Sequence, residues 1–192
     1  MMPMSDKNRN PEGGQEEDQH ERESRLSDAY HRMLHEVTED LEKLEERTGK
    51  AISQALEGAR DRVHNATDLT REEAHEVMEY LQRDLQDLGA YIDARSEDWR
   101  SWLRIDIGLI EASIKNALER IADRTRVEIT ELTARAQVMG EWHTGEITGP
   151  GELVCKHCGH PLHMEKVGRI PPCAQCHHTA FRRGPPPEAD AG

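Results

Sequence analysis

The sequence predicts a mainly α-helical protein with long antiparallel helices or a coiled coil, followed by a small C-terminal β zinc ribbon. Two observations lead to this prediction. Apolar residues recur every eleven positions along the stem, and all four cysteines form two Cys-x-x-Cys pairs near the C-terminus. The composition agrees: 35% hydrophobic, 33% charged and 4% aromatic residues are too polar for one large globular core, but typical of helices that bury a single stripe.

The N-terminal residues 1–23 are rich in Pro, Gly, Gln and Glu, so we expect a disordered acidic leader. This leader lacks the apolar segment of a signal peptide. No run in the chain approaches the roughly 18 apolar residues that span a bilayer. We therefore expect a cytoplasmic protein without a membrane partner. Cysteines stay reduced in that compartment, and their pairs then indicate metal ligands rather than disulfides.

The stem, residues 24–139, has apolar positions at steps of three, four and four. Thirty such positions contain four Thr or Ser residues and no charge. An eleven-residue period means about 3.67 residues per turn, which predicts straight or slightly right-handed helices. The three series are Met33, Leu44, Ala55, Ala66, Val77, Leu88, Trp99, Ile110, Ile121, Leu132; Val37, Thr48, Ala59, Thr70, Leu81, Ile92, Leu103, Ile114, Thr125, Ala136; and Tyr30, Leu41, Ile52, Val63, Ala74, Leu85, Ser96, Ile107, Leu118, Ile129.

Local signals divide the stem into predicted helices at about 24–64, 71–94 and 97–138. Helix formers thin out near Asn65, and Thr70 with Glu73 has the spacing of a capping box. Ser96 is placed to cap the third helix. Because the register continues through both interruptions, one or two longer rods remain an alternative.

The apolar stripe must be covered by another helix, since an isolated stripe is unstable in water. A folded-back bundle and an intermolecular coil satisfy this requirement equally, so the oligomeric state stays open. We expect a protein partner or a homo-oligomer through the stem. The segment 99–110 is apolar on more than one face, which indicates a packing junction or a subunit contact; we expect Asp106 within it to be exposed or paired with an arginine.

Glycine and proline between residues 140 and 151 predict a linker, with a short strand possible at 145–148. Residues 152–183 form the predicted ribbon, and 184–192 a disordered tail. About 40 residues with so few apolar side chains cannot make an adequate core unaided. A structural zinc ion supplies on the order of 10–16 kcal/mol, so we expect the ribbon to be unfolded without metal.

The four predicted metal ligands are Cys155, Cys158, Cys173 and Cys176. Each Cys-x-x-Cys pair places two thiolates on one turn, and two such turns complete a tetrahedral site. Four cysteines close the coordination shell, so we predict one structural Zn²⁺, with an iron site as the alternative. The residues after the pairs, Gly159 and His177, occupy positions where a positive φ is commonly needed.

Several other patterns are weaker. A thioredoxin-like redox site would need a βαβ pattern, which the sequence does not show. The pair His31 and His35 and the Glu72-x-x-His75 spacing imitate parts of a metal site, but we expect neither to bind metal. The five ribbon histidines, His157, His160, His163, His177 and His178, are expected to be surface or supporting residues.

Nucleic-acid binding by the ribbon is the alternative function. Five basic and two acidic side chains lie in residues 152–183, against a formal charge of −13 for the chain, and a phosphate-gripping surface needs clustered Lys and Arg. The chain contains no phosphate-cradling loop, nucleophile elbow or acid/base pair. We therefore expect a non-enzymatic protein without a small-molecule substrate.

The ribbon and the stem resemble a known family. The segments at 144–155 (TGEITGPGELVC) and 168–173 (GRIPPC) look like the bacterial zinc-ribbon-containing proteins typified by YbeL, as do the stem segments at 69–74, 80–85 and 103–107. The resemblance covers about residues 26–183. It implies a helical N-terminal region, a four-cysteine ribbon and a role that is uncharacterised. His177 departs from the family pattern, in which Gly follows the second pair.

Overall fold

The computed structural model describes residues 11–43, 49–95, 99–103, 106–124 and 140–183. The helices pack as a bundle, and the strands form a ribbon that docks onto it. The elements are α1 Pro11–Lys43, α2 Gly49–Ala66, α3 Arg71–Arg95, α4 Trp99–Leu103, a 3₁₀ turn Ile107–Leu109, α5 Ala112–Arg124, β1 Trp142–His143, β2 Ile147–Thr148, β3 Gly151–Cys155, β4 Pro161–Met164, β5 Gly168–Arg169 and β6 Ala180–Arg183.

The predicted apolar stripe is the core of the bundle. Wherever the structure describes the burial of a stripe residue, the side chain is buried, apart from Ala66 and Thr70 at the turn between α2 and α3. Met33, Val37 and Leu81 are completely buried. Burying a Leu or Ile side chain contributes about 1.5–3 kcal/mol, so this stripe is the main driving force for folding of the bundle.

The prediction of one continuous helix over residues 24–64 is wrong. Helix α1 ends at Lys43, α2 begins at Gly49, and the two pack side by side. Arg62 on α2 reaches back to Glu36 and Asp40 on α1. Glycine disfavours a helix interior, which favours a break near Gly49. The eleven-residue spacing does not reveal the reversal, because α1 and α2 both place their stripe residues in the same core. The stripe is therefore covered within one chain, as in the folded-back alternative.

The predicted bend near Asn65 is confirmed, because α2 ends at Ala66 and α3 begins at Arg71. The capping box is also present. The backbone N–H of Thr70 donates to Glu73 Oε2 at 3.0 Å, and the N–H of Glu73 donates to Thr70 Oγ1 at 3.1 Å. The hydrogen bond from the Thr70 backbone holds the pKa of Glu73 below its ordinary value.

Helix α1 begins at Pro11, well before the predicted start at residue 24. Residues 11–23 lack a stripe, but proline suits the first helical position, and the Glu, Gln and Arg that follow are good helix formers. The predicted disorder of residues 1–10 and 184–192 falls outside the described residues.

The third predicted helix, 97–138, is interrupted instead of continuous. Asp106 Oδ1 accepts a hydrogen bond from Gly108 N at 2.8 Å, and Asp106 O accepts one from Leu109 N at 3.0 Å. Asp and Gly favour such turns, so a 3₁₀ turn separates α4 from α5. Asp106 is exposed, as expected. The proposed cap at Ser96 and residues 125–139 lie outside the described part.

The ribbon begins earlier than predicted, because the expected linker 140–151 is structured. Strand β1 pairs with β6, with Trp142 opposite Phe181, and β2 pairs with β5. The main sheet has the antiparallel order β1-β6-β3-β4. Glycines of the expected linker adopt positive φ instead: φ is 100° at Gly145 in the turn before β2 and 142° at Gly151, the first residue of β3. The predicted short strand is β2.

The ribbon has its own small core and also shares the core of the bundle. Ile147 and Val167 are buried in the helical cluster, whereas Trp142, Leu153 and Phe181 form a second cluster beside the cysteines. The two units are thus packed together rather than joined by a free linker. None of the helices in the described ranges is long and apolar enough to cross a membrane.

Removing the capping hydroxyl should destabilise the bundle. Thr70→Ala deletes the acceptor for the Glu73 N–H, and we expect the free energy of unfolding to fall by about 1 kcal/mol. Thr70→Ser keeps an acceptor and should stay within about 0.5 kcal/mol of the wild type. Denaturant titration followed by far-UV circular dichroism measures both. Equal stability of the Ala and Ser variants would contradict a role for this cap.

Candidate metal centre

The two Cys-x-x-Cys turns have matching backbone geometry. Gly159 N donates to Cys155 O and His177 N donates to Cys173 O, both at 2.9 Å. Gly159 and His177 have φ values of 74° and 57°, which confirms the expected positive φ at both positions. His177 adopts this conformation because histidine tolerates it better than most residues do.

The two cysteine turns also share a second backbone hydrogen bond. Cys155 N donates to His160 O and Cys173 N donates to His178 O, both at 3.0 Å. The first turn follows β3, and the second turn precedes β6, which pairs with β3. The sheet therefore holds the two turns against each other as a pseudo-symmetric pair.

The structure brings all four predicted ligands together. The four sulfur atoms lie within 4.8 Å of one another. Cys155 Sγ is 3.6 Å from Cys176 Sγ, and Cys158 Sγ is 3.6 Å from Cys173 Sγ. A zinc–sulfur bond length near 2.3 Å gives a tetrahedron edge of about 3.8 Å. The four thiols therefore fit one tetrahedral ion, with each turn supplying two of them.

The thiols are electrostatically unequal. Burial raises the pKa of Cys155 and Cys173, but the backbone N–H groups of each turn outweigh it, and the pKa of Cys173 falls to about 6. A backbone hydrogen bond from His160 lowers the pKa of Cys158, and one from His178 lowers that of Cys176. The neighbouring cysteine sulfurs and burial outweigh these bonds, so the pKa of both thiols is raised. Four adjacent thiolates repel one another, so a bound cation is needed to hold all four in the ionised form.

The ribbon is anchored on the bundle by Asp84, a residue that sequence analysis did not single out. This carboxylate on α3 is only 3% exposed. Its donors come from α1, β1, β2, the turn after β2 and β6. They are Tyr30 Oη at 2.8 Å, Trp142 Nε1 at 3.1 Å, Thr148 Oγ1 at 3.0 Å, Gly149 N at 2.8 Å and Arg183 Nη2 at 2.9 Å.

The charge of Asp84 is compensated inside the interface. Burial alone would raise the pKa of Asp84, but Arg183 and the Gly149 N–H hold it below its usual value. Burial and the adjacent Asp84 charge raise the pKa of Tyr30 well above its usual value. Asp84 thus stays ionised and Tyr30 stays protonated, which suits their hydrogen bond.

Two arginines frame the buried indole of Trp142. The Arg83 guanidinium lies 4.9 Å from the ring and that of Arg183 lies 5.3 Å from it. Arg83 also forms an ion pair with Glu146 at 2.9 Å and donates to Glu141 O at 3.1 Å. Strand β1 is therefore held by aromatic, ionic and hydrogen-bonded contacts together.

A sequence signal for Asp84 existed. The residue is three positions after Leu81 and four before Leu88, which places it on the apolar face of α3. A charge on that face requires a buried partner. The partner, Arg183, is 99 residues away in the chain, and local patterns cannot identify it.

The other histidine patterns do not form metal clusters in the described residues. His31 Nε2 lies 3.3 Å from Glu111 on the segment before α5, and His35 Nε2 lies 3.4 Å from Glu39. His75 faces Glu79 instead of completing a site with Glu72. These histidines are surface or half-buried residues with carboxylate neighbours.

The nucleic-acid alternative gains no support from the charge of the ribbon. Arg183 is buried against Asp84, and Lys156 Nζ lies 2.8 Å from Glu141 Oε2. Two of the five basic residues of the ribbon, on which the nucleic-acid alternative depends, are therefore already paired with carboxylates.

Comparison with known proteins supports the interpretation of the four-cysteine cluster as the metal site of a zinc ribbon. A family model described as a zinc-ribbon containing domain matches residues 39–185. The chain is similar to "Uncharacterized protein YbeL" of Escherichia coli strain K12, with 31% identity over 135 residues, 70% of this chain and 82% of that protein. The YbeL proteins of E. coli O6:H1 and O157:H7 match to the same extent. No solved structure matches significantly. The family match and the thiol cluster together support one structural zinc ion.

Truncation of Asp84 should destabilise the fold strongly. Asp84→Ala removes the carboxylate at 2.9 Å from the buried Arg183, whose Nε is still 4.0 Å from Asp87 Oδ2, and we expect a loss of about 3–5 kcal/mol in the free energy of unfolding. Asp61→Ala, an exposed acid on α2 beside Arg60, is the matched control and should change stability by less than about 0.5 kcal/mol.

The double variant Asp84→Leu with Arg183→Met distinguishes two causes of destabilisation: a buried charge that has lost its ion-pair partner, and the loss of the contact between α3 and β6. We expect it to be more stable than Asp84→Ala, since no buried charge is then left alone. Denaturant unfolding of the zinc-loaded chain measures all variants. A loss for Asp84→Ala no larger than that for Asp61→Ala would show that Asp84 does not anchor the ribbon.

Proposed function

The chain belongs to the family of zinc-ribbon containing domains, and on that premise we propose that it is a non-enzymatic scaffold that binds a protein partner. The observation that carries the proposal is the closed cluster of four thiols. A catalytic zinc site keeps a coordination position open for water or substrate. Four thiolates occupy every position of a tetrahedral ion, so the zinc serves to hold the fold.

The packing between ribbon and bundle supports a scaffold role. The buried Asp84–Arg183 pair and the shared core residue Ile147 hold the ribbon against α3. Such packing would fix the relative position of the ribbon and helix surfaces. A partner could then recognise both units as one surface.

The charge of α1 supports a partner with a basic surface. This helix contains eleven acidic and four basic residues, and the chain as a whole has a formal charge of −13. Charge complementarity accelerates association and disfavours wrong partners. Asp18, Glu21 and Asp28 on α1 are exposed and are available for such contacts. Self-association through the stripe is less favoured, since the stripe is already buried within the chain.

The zinc role predicts that metal protects the cysteines. We expect about one zinc per purified chain and, with zinc bound, thiol labelling roughly tenfold or more slower than after chelation. Chelation should also shift the fluorescence of buried Trp142 towards that of an exposed indole, and Trp142→Phe identifies this signal among the three tryptophans. Less than about half an equivalent of zinc contradicts the structural role. Rapid labelling with zinc retained would favour a thiol redox protein.

The partner role predicts site-specific cross-linking in cells. A photo-cross-linking residue in place of Glu21, exposed on α1, should give a discrete adduct with another protein. When the same cross-linking is carried out in cell lysate, the yield of the adduct should fall as salt is raised, because salt screens the attraction between the acidic residues of α1 and a basic partner. The same residue in place of Glu165, an exposed acid of the ribbon, is the control. An adduct of the chain with itself would instead indicate a homo-oligomer, and no adduct at Glu21 would contradict binding at α1.

A further inference from the structure

We propose that His157, His178 and Cys176 form a second, exchangeable metal site beside the four-cysteine centre. The site would take a borderline divalent ion such as Zn²⁺ or Co²⁺, with Cys176 shared between the two ions. The proposal goes beyond the scaffold role above and does not depend on a protein partner.

The ligand atoms are already close together. One nitrogen of each histidine and the sulfur of Cys176 lie within 4.8 Å of one another. The rings of His157 and His178 are stacked, with centroids 3.7 Å apart and planes inclined by 7°. Two imidazole nitrogens on a tetrahedral zinc are about 3.4 Å apart. Because each lone pair lies in its ring plane, the stacked rings must rotate about their side-chain torsions until both planes meet at the ion, and the exposure of both rings leaves room for this rotation.

The histidines are available for a ligand. Both rings are exposed and Cys176 is half-buried. Within the described residues, the rings of His157 and His178 contact each other, and neither has a side-chain hydrogen bond or an ion pair. Their backbones are nevertheless fixed, since His157 lies inside the first cysteine turn and His178 O accepts the Cys173 N–H. A rigid backbone lowers the entropic cost of binding for these two side chains.

Charge favours a second cation at this position. Four thiolates and one Zn²⁺ carry a net charge of about −2. A second divalent ion between two neutral imidazoles and a shared thiolate neutralises this charge. Imidazole and thiolate suit zinc and cobalt. The ion would have three protein ligands and room for water, so we expect it to bind more weakly than the ion held by four cysteines.

The pseudo-symmetry of the ribbon provides a matched control. By the pairing of the two turns, His160 corresponds to His178, and Gln175 corresponds to His157. The opposite face therefore has one histidine and a glutamine beside Cys158. In the described part of the chain, that face does not form a metal-ligand cluster, whereas the His157 face does. His160→Ala thus removes a histidine of the same ribbon without touching the proposed site.

The test is a Co²⁺ titration of the full chain after it has been loaded with one zinc ion. Only a sulfur ligand gives the near-ultraviolet sulfur-to-cobalt charge-transfer band, so cobalt bound at histidines alone elsewhere on the surface is silent. We expect the band to saturate at about one cobalt per chain while zinc remains bound. His157→Ala and His178→Ala should each weaken cobalt binding by roughly tenfold or more, and His160→Ala should match the wild type.

Three results would overturn the proposal. These are no band in the zinc-loaded wild type, a band that grows in step with zinc release, and a band that survives both His157→Ala and His178→Ala. Zinc retention by each variant before cobalt is added shows that its ribbon is folded. A wild-type chain that fails to retain zinc would overturn the four-cysteine centre as well, whereas retained zinc without a cobalt band overturns the second site alone.

Discussion

The buried carboxylate of Asp84 is the constraint on which the arrangement of this molecule depends. Removing an ionised carboxylate from water costs several kcal/mol unless every lone pair is matched. Here the matching groups come from α1 and from three strands and one turn of the ribbon. None of these segments can move away without removing a hydrogen-bond donor from this buried carboxylate. The docked position of the ribbon is therefore specified by an electrostatic requirement. Apolar contacts such as that of Ile147 add buried surface area but do not specify one orientation of the ribbon.

The metal centre and this anchor are connected through one short strand. Phe181 on β6 is paired with Cys155, the first ligand, and Arg183 two residues later reaches Asp84. The order that zinc imposes on the cysteine turns thus fixes the strand that carries the arginine. A small ribbon gains most of its folding free energy from the metal, so the geometry at Asp84 depends on a site at the other end of β6. The two features that looked separate in the chain act as one structural unit.

The sequence predicted what local periodicity and spacing determine. The stripe became the core, Thr70 and Glu73 formed their cap, and the four cysteines came together with positive φ at Gly159 and His177. It did not predict the reversal between α1 and α2, because two helices that face the same core share one register. Within the segment 140–151 it predicted only the short strand β2 and missed β1, because glycines in tight turns and glycines in a linker look alike. The partner of Asp84 depends on long-range packing, which spacing cannot reveal.

The folded-back bundle changes where an interaction surface must be sought. An extended rod would need a second copy to cover its apolar stripe, and recognition would then be hydrophobic. Within one chain the stripe is already covered, and Leu109 at 56% exposure is the large apolar side chain left outside in the described residues. Two polar surfaces of the described residues are the charged outer face of α1 and the histidines around the zinc ligands. Both are polar surfaces, so binding to either depends on charge and ligand chemistry and is sensitive to salt or to free metal.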